Sequence, residues 1–285
     1  MNKLLFAFVA LIAMTTAFEK TEYSFFKDKS HEEIAAHYLG LNTDYMNDTM
    51  LNMFMVGEAV GKDLPESFDW REEYAECVHP VRDQGRCGSC WAHAASEVLS
   101  DRFCIQSKGQ TNVVFSPQQL VDCDLIEMGC SGGFLTTPLI YYSLVGGQEE
   151  SCYGEYTSGK TGARSGMCLL KKWQCPSYHA QLTSIRWLMN PQAIKEELYA
   201  NGPVSTGFMV YDDFMNYRSG IYKQNSDKLL GGHAVKIVGW GNDNGEEYWI
   251  VQNSWTTAWG EGGYFRIAFG QCNIDSGAVS VNPSL

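Results

Sequence analysis

Gln84-Gly85-Arg86-Cys87-Gly88-Ser89-Cys90-Trp91 places a cysteine where a helical pattern begins and a glutamine shortly before it. A thiol is a weak nucleophile until it loses its proton. A helix N-terminus and a neighbouring imidazolium both lower its pKa, so Cys90 is a candidate nucleophile and Gln84 a candidate oxyanion donor. Cys87-x-x-Cys90 also fits a dithiol redox motif, half of a zinc site, or a structural half-cystine. The chain has no second C-x-x-C, which argues against zinc. The absence of a compact βαβ context argues against a thioredoxin-like role.

Two downstream runs decide among these readings. Gly231-Gly232-His233-Ala234-Val235-Lys236-Ile237-Val238-Gly239-Trp240-Gly241 supplies a histidine, and Tyr248-Trp249-Ile250-Val251-Gln252-Asn253-Ser254-Trp255 supplies an asparagine. A lone histidine opening an apolar strand is usually a core residue, but the Gly-Gly before it and the Asn-Ser-Trp beyond it favour a catalytic one. Together with the cysteine motif these runs resemble the papain-like cysteine peptidases, over residues 64 to 285. Cys90, His233 and Asn253 match that family's triad. The resemblance implies that Cys90 attacks a peptide carbonyl. It implies that His233 pairs with the thiolate and later protonates the leaving amine, and that Asn253 orients the imidazole. Gln84 and the Cys90 backbone N–H would hold the oxyanion. Trp255 would shield the His–Asn pair, and Cys130-Ser131-Gly132-Gly133 would let an extended substrate approach the backbone at Gly132 and Gly133. Trp91 and His93 are expected to be packing residues. Gly239-Trp240-Gly241 follows a strand without opening a helix, so it is a poor phosphate loop.

Within that family the chain resembles the cathepsin B branch, and this resemblance implies disulfides Cys77–Cys104, Cys87–Cys130, Cys123–Cys168 and Cys152–Cys175, with Cys272 left as a buried thiol. Sequence alone leaves other connectivities open among Cys123, Cys152, Cys168 and Cys175. Two departures from that branch bear on activity. The stretch from Cys152 to Cys175, which corresponds to the loop carrying paired histidines in cathepsin B, contains no histidine. The expectation is an endopeptidase with weak or absent dipeptidyl carboxypeptidase activity. Aligning Cys272-Asn273-Ile274-Asp275-Ser276-Gly277 puts Gly277 where the branch has an acidic residue in its S2 pocket, which implies hydrophobic P2 side chains. An exopeptidase, or a silent papain-fold binding protein, are the alternatives.

Composition agrees with a secreted or vesicular globule. At 285 residues and 13% aromatics the chain can bury a substantial core. Met1–Ala17 has a charged start at Lys3, an apolar run from Leu4 to Ala13 and a small-residue end at Thr15-Thr16-Ala17, which reads as a secretory signal. Ten cysteines behind it imply an oxidising compartment. A net charge of -12 argues against nucleic acid and anionic membranes as partners. Protein and peptide substrates, a monomer, no metal and no cofactor are expected, in a lysosome-like vesicle or outside the cell.

Residues 18–63 are polar and hold no cysteine, with a helical stretch over 31–39 and a glycosylation sequon at Asn47-Asp48-Thr49. The resemblance makes them a propeptide lying across the cleft as an inhibitor, ahead of a peptidase domain over 64–285. Within that domain apolar residues at Trp91, Ala95, Val98, Leu99 and Phe103 predict a helix from Ser89. Ser116-Pro117 and Asn190-Pro191 cap two more, the latter ending at Gly202. Residues 146–166 read as a surface loop. Val204–Val210, His233–Trp240, Glu247–Gln252 and Tyr264–Phe269 read as strands. The expected class is α+β, a helical subdomain and an antiparallel barrel-like one with the cleft between them.

Overall fold

The computed structural model describes residues 18–42, 55–171 and 174–285. The signal segment at 1–17 and the sequon at 47–49 lie outside them. The described helices are α1 (His31–Tyr38), α2 (Trp70–Glu73), α3 (Cys90–Gln106), α4 (Pro117–Cys123), α5 (Thr137–Leu144), α6 (Glu150–Tyr153), α7 (Ser158–Thr161), α8 (Cys168–Lys171) and α9 (Pro191–Asn201). The strands are β1 (Glu19–Lys20), β2 (Met55–Gly57), β3 (Phe68–Asp69), β4 (Arg186–Leu188), β5 (Val204–Tyr211), β6 (Tyr217–Ser219), β7 (Ile221–Tyr222), β8 (Leu229–Asp243), β9 (Glu246–Gln252), β10 (Tyr264–Ala268) and β11 (Ala278–Ser280).

Helix α3 is the spine of the helical lobe. It is buried on every face from Cys90 to Cys104, and its charged residues are paired across the lobes. Asp101 receives Lys236 Nζ at 2.5 Å and His79 Nδ1 at 2.7 Å. Arg102 binds Glu197 at 2.9 Å and the carbonyls of Gly202, Pro203 and Val281. Removing one partner of such a buried pair leaves a stranded charge, so these contacts fix how the two lobes meet. Helices α4 and α9 begin as their caps predict: Ser116 Oγ accepts from Gln119 N and Asn190 Oδ1 from Ala193 N.

The strand lobe is one sheet in the order β2-β4-β11-β5-β8-β9-β10-β7, with β3 also on β8. It is antiparallel except at its two outermost pairings, β2 with β4 and β10 with β7. Its two faces serve different cores, because side chains alternate along each strand. Val204, Phe208, Val235, Ile237 and Ala278 point into the barrel-like interior. Ala234, Trp187 and Val279 pack instead with α3, α4 and α5.

Residues 146–166 differ from the expected surface loop. They contain α6 and α7, bury Tyr153 and Ser158, and return Tyr156 against the start of α3. Short polar helices of four residues carry too little periodicity to be read from sequence. The disulfides in the structure are Cys77–Cys104, Cys87–Cys130, Cys123–Cys168 and Cys152–Cys175, leaving Cys90 and Cys272 as buried thiols.

The N-terminal segment closes the space between the lobes. β1 pairs with β6, and Phe18 and Phe26 pack in the strand-lobe core, with Phe26 edge-on to Trp255 at 5.5 Å. Ser30 and Glu33 form a capping box that starts α1, which buries Ile34 and Tyr38. Beyond it, Leu41 bridges Gly133 of the helical lobe and Gly232 of the strand lobe. Farther along, β2 extends the sheet edge, and the backbone N–H groups of Val60, Gly61 and Lys62 converge on the Glu196 carboxylate at 2.8 to 3.0 Å.

Candidate active site

Cys90 is the first residue of α3, so its sulfur sits at the positive end of a seventeen-residue helix. The backbone N–H groups of Ala234, Trp91 and Cys90 itself act on that sulfur and favour its charged form. The Ala234 N–H belongs to the peptide that joins it to His233, so the contact carries the thiol across the cleft to the histidine. His233 Nε2 lies 2.7 Å from Asn253 Oδ1, which also accepts from the Ser254 N–H at 2.8 Å. An oxygen that accepts from a backbone amide fixes the orientation of the Asn253 side chain, so His233 Nε2 must carry the proton. The lone pair is then on Nδ1, which is buried without a hydrogen-bond partner.

Burial dominates both groups while the N-terminal segment is in place. It pushes the Cys90 thiol up to about 12 and the His233 imidazole down to about 4. Between those values both are neutral. Opening the cleft would remove the desolvation and leave the helix N-terminus and the backbone donors to stabilise a thiolate.

Gln84 is fully buried, and its amide donates to Tyr38 O at 3.1 Å and to Cys87 O at 3.0 Å. Ser254 Oγ holds its oxygen at 2.6 Å, linking the glutamine to the segment just beyond β9 that carries Asn253. Trp255 stacks over His233 with ring centroids 4.7 Å apart, and its indole N–H donates to the same Tyr38 carbonyl at 3.0 Å. Trp91 packs in the helical lobe and donates to Gly129 O. His93 is buried and bonds to Ser89 O.

Gly132 takes a φ of +117° that favours glycine. Gly133 is glycine for space: a Cβ there would lie 2.4 Å from Glu127 Oε2 and 2.7 Å from the Trp91 ring. Its backbone is what the cleft presents, donating to Gly40 O at 2.9 Å and accepting from Asn42 N at 2.8 Å. Gly277 lies on the sheet face that packs toward α3, buried against the ring of Trp187. Sequence reasoning did not single out Tyr156. Its hydroxyl joins Ser89 Oγ at 2.7 Å and Gln84 O at 3.0 Å, tying the loop before α3 to its N-terminus. Nothing in its local sequence marks that role. Ser254 lay in a quoted motif without an assigned part. Among the described residues no cluster of histidine, cysteine and carboxylate side chains could hold a metal ion.

A helical lobe and a strand lobe that meet at a thiol and an imidazole define the architecture of a cysteine peptidase. Residues 64–282 match the papain family cysteine proteases, and the chain belongs to that family. Its relatives are cathepsin B-like. It is 39% identical over 229 residues to cathepsin B-like CP3 of Giardia intestinalis, covering 78% of this chain and 76% of the relative. It is 36% identical over 259 residues to cathepsin B-like cysteine proteinase 3 of Caenorhabditis elegans, covering 82% and 70%. Procathepsin B S9 from Trypanosoma congolense superposes with a TM-score of 0.79 at 29% identity over 94% of each chain.

Proposed function

We propose that this cysteine peptidase is a zymogen whose Cys90, His233 and Asn253 hydrolyse internal peptide bonds, and whose residues 18–63 are an inhibitory propeptide. The observation that carries the reading is the course of the N-terminal segment. It bridges Gly133 and Gly232, spends its Tyr38 carbonyl on Gln84 and Trp255, and so covers Cys90 from both lobes. A segment held by those groups competes directly with a substrate backbone.

Once it leaves, the chemistry follows from the positions of the side chains. The Cys90 sulfur, its proton taken by His233 Nδ1, attacks the scissile carbonyl carbon. The oxygen gathers negative charge and is held by the Gln84 amide and the Cys90 N–H. Imidazolium His233 then gives its proton to the departing amine, leaving a thioester on Cys90. A water that loses a proton to His233 attacks the thioester carbonyl, and the acid product and the Cys90 thiol are released. Asn253 keeps the imidazole in the tautomer that accepts at Nδ1 throughout.

Two features favour endopeptidase action on hydrophobic P2 residues. The stretch between Cys152 and Cys175 has no histidine to bind a substrate's terminal carboxylate. The N-terminal segment itself buries Leu41, 6% exposed, beside Gly133 in the core shared with Ala234 and Leu135. The reading includes entry into the secretory pathway through residues 1–17 and a mature chain starting near residue 64. No described helix is long and apolar enough to cross a membrane. Acid activation of the purified zymogen, followed by peptide profiling with free and blocked C-termini, tests all of this. Cleavage with blocked termini that is lost in Cys90→Ala is expected. Stepwise removal of C-terminal dipeptides alone would replace the endopeptidase reading with an exopeptidase one.

A further inference from the structure

The pocket that receives Leu41 has a floor that can be followed strand by strand. Ala234 of β8 pairs with Gly207 of β5. Gly277 precedes Ala278, which pairs with Thr206, so Gly277 lies level with Gly207 on β11. Three neighbouring strands therefore contribute Ala, Gly and Gly in one row, on the face that packs toward α3. Such a row carries little side-chain volume, and the space above it, if left unfilled, would take long or aromatic side chains.

That space is filled. Trp187 pairs with Val279 across β4 and β11, which puts its side chain on the same face as Gly277, two residues from Val279. A Cβ at Gly277 would meet the Trp187 ring at 2.8 Å, with two further ring atoms at 3.2 and 3.3 Å. Trp187 is 2% exposed and belongs to the same buried cluster as Leu41, Leu135 and Ala234. The ring is anchored by its own strand and by the close fit at Gly277, so it does not swing aside as a surface side chain would.

We propose that Trp187, and not the residue at position 277, sets the depth and polarity of the P2 pocket, so that the enzyme accepts leucine-sized aliphatic P2 side chains and discriminates against aromatic and basic ones. The proposal rests on the reading of Cys90 as nucleophile and of the Leu41 pocket as the P2 site. Gly277 is then a consequence of the indole: any side chain there would collide with it. Restoring a carboxylate at position 277 is not enough to recruit a P2 arginine, because the space that the arginine would need is filled.

The test uses acid-activated enzyme, with active sites counted by an electrophilic thiol probe so that folding losses cancel. For each form, kcat/KM is measured on peptides differing only at P2 (Leu, Phe, Arg). One missing or added methylene in an apolar pocket changes selectivity by about 10- to 200-fold. Trp187→Ala is therefore expected to raise the Phe-to-Leu ratio by about tenfold or more. Trp187→Phe, which disturbs packing less, should shift it in the same direction by a smaller factor. Gly277→Glu alone should gain no P2-Arg cleavage, whereas Trp187→Ala/Gly277→Glu should. Titratable variants with an unchanged Phe-to-Leu ratio, or a Gly277→Glu enzyme that cleaves the P2-Arg peptide, would overturn the proposal. Wild-type enzyme that fails to titrate would overturn the catalytic reading itself, and the pocket assignment with it.

Discussion

Leu41→Ala in the full-length chain should expose the Cys90 thiol by a calculable amount. Leu41 is 6% exposed and sits in the pocket between Gly133 and Gly232, while the backbone bonds of Gly40, Leu41 and Asn42 to those glycines do not depend on its side chain. The variant therefore loses apolar burial alone. Buried Leu→Ala changes cost about 2–5 kcal/mol, and a site that water can enter on opening belongs near the lower end, about 2–3 kcal/mol. At 1.4 kcal/mol per factor of ten, the fraction of molecules with the segment lifted should rise about 30- to 150-fold. Covered Cys90 has its thiol pushed up to about 12 and is unreactive at neutral pH, so labelling by iodoacetamide reports the lifted fraction. Mass spectrometry of the intact chain, with Cys272→Ser to remove the other thiol, gives the rate. Equal labelling rates for the variant and its parent would show that the leucine does not hold the segment down, and the argument from its pocket would fail.

Three more perturbations follow from the same geometry. Gly133→Ala places a methyl against Glu127 and Trp91 and should cost about 1–3 kcal/mol of stability by overpacking, together with a raised KM, since the displaced backbone is the substrate's pairing edge; an unchanged KM would refute the pairing role. Tyr156→Phe removes the hydroxyl shared by Ser89 and Gln84 and should lower kcat a few-fold, about the factor that 1 kcal/mol produces, with KM nearly constant. A matching fall in thermal stability with kcat intact would make the tyrosine structural only. Glu97, buried beside Gln252, is raised to about 7 by desolvation. The folded state then binds a proton that the unfolded state has released above its ordinary carboxylate range, so this residue lowers stability as pH rises from about 4.5 to 7. In urea titrations of the Cys90→Ser chain, Glu97→Gln should flatten the decline over that window; an unaltered slope would remove Glu97 from the account.

What could be read from sequence were the features encoded by local runs. Cys90, His233 and Asn253 each sit in a short motif whose glycines and tryptophans announce the turn or strand, so their convergence could be expected before any coordinates. The burial of α3 could not. Periodicity assigns Glu97, Asp101 and Arg102 to a solvent face, and their true environment depends on Lys236, Gln252 and Glu197, which are distant in sequence. β4 is three residues long, so no alternation identified it, and Trp187 carried no signal until its register with β11 was known. Gly277 was recognised as a missing carboxylate. Why it is glycine needed the ring that lies on it.

The direction of the N-terminal segment explains how one pocket can serve both inhibition and substrate choice. A productive substrate enters with its P2 residue before the scissile carbonyl, so along the chain the Leu41 pocket must be met before Gln84. In this structure the order is reversed, since the carbonyl of Tyr38 meets Gln84 and Leu41 follows in the pocket. The bridge between Leu41 and Gly133 is parallel for the same reason. On the proposed reading, the segment uses the pocket and the glycine edge that would bind substrates while presenting its carbonyls the wrong way round for attack. A leucine is then the residue that the Trp187-bounded pocket would itself select, and its affinity for the cleft need not make it a substrate. Selection acting on Trp187 would be felt twice, in the P2 residues that the mature enzyme accepts and in the side chain that can hold its zymogen shut.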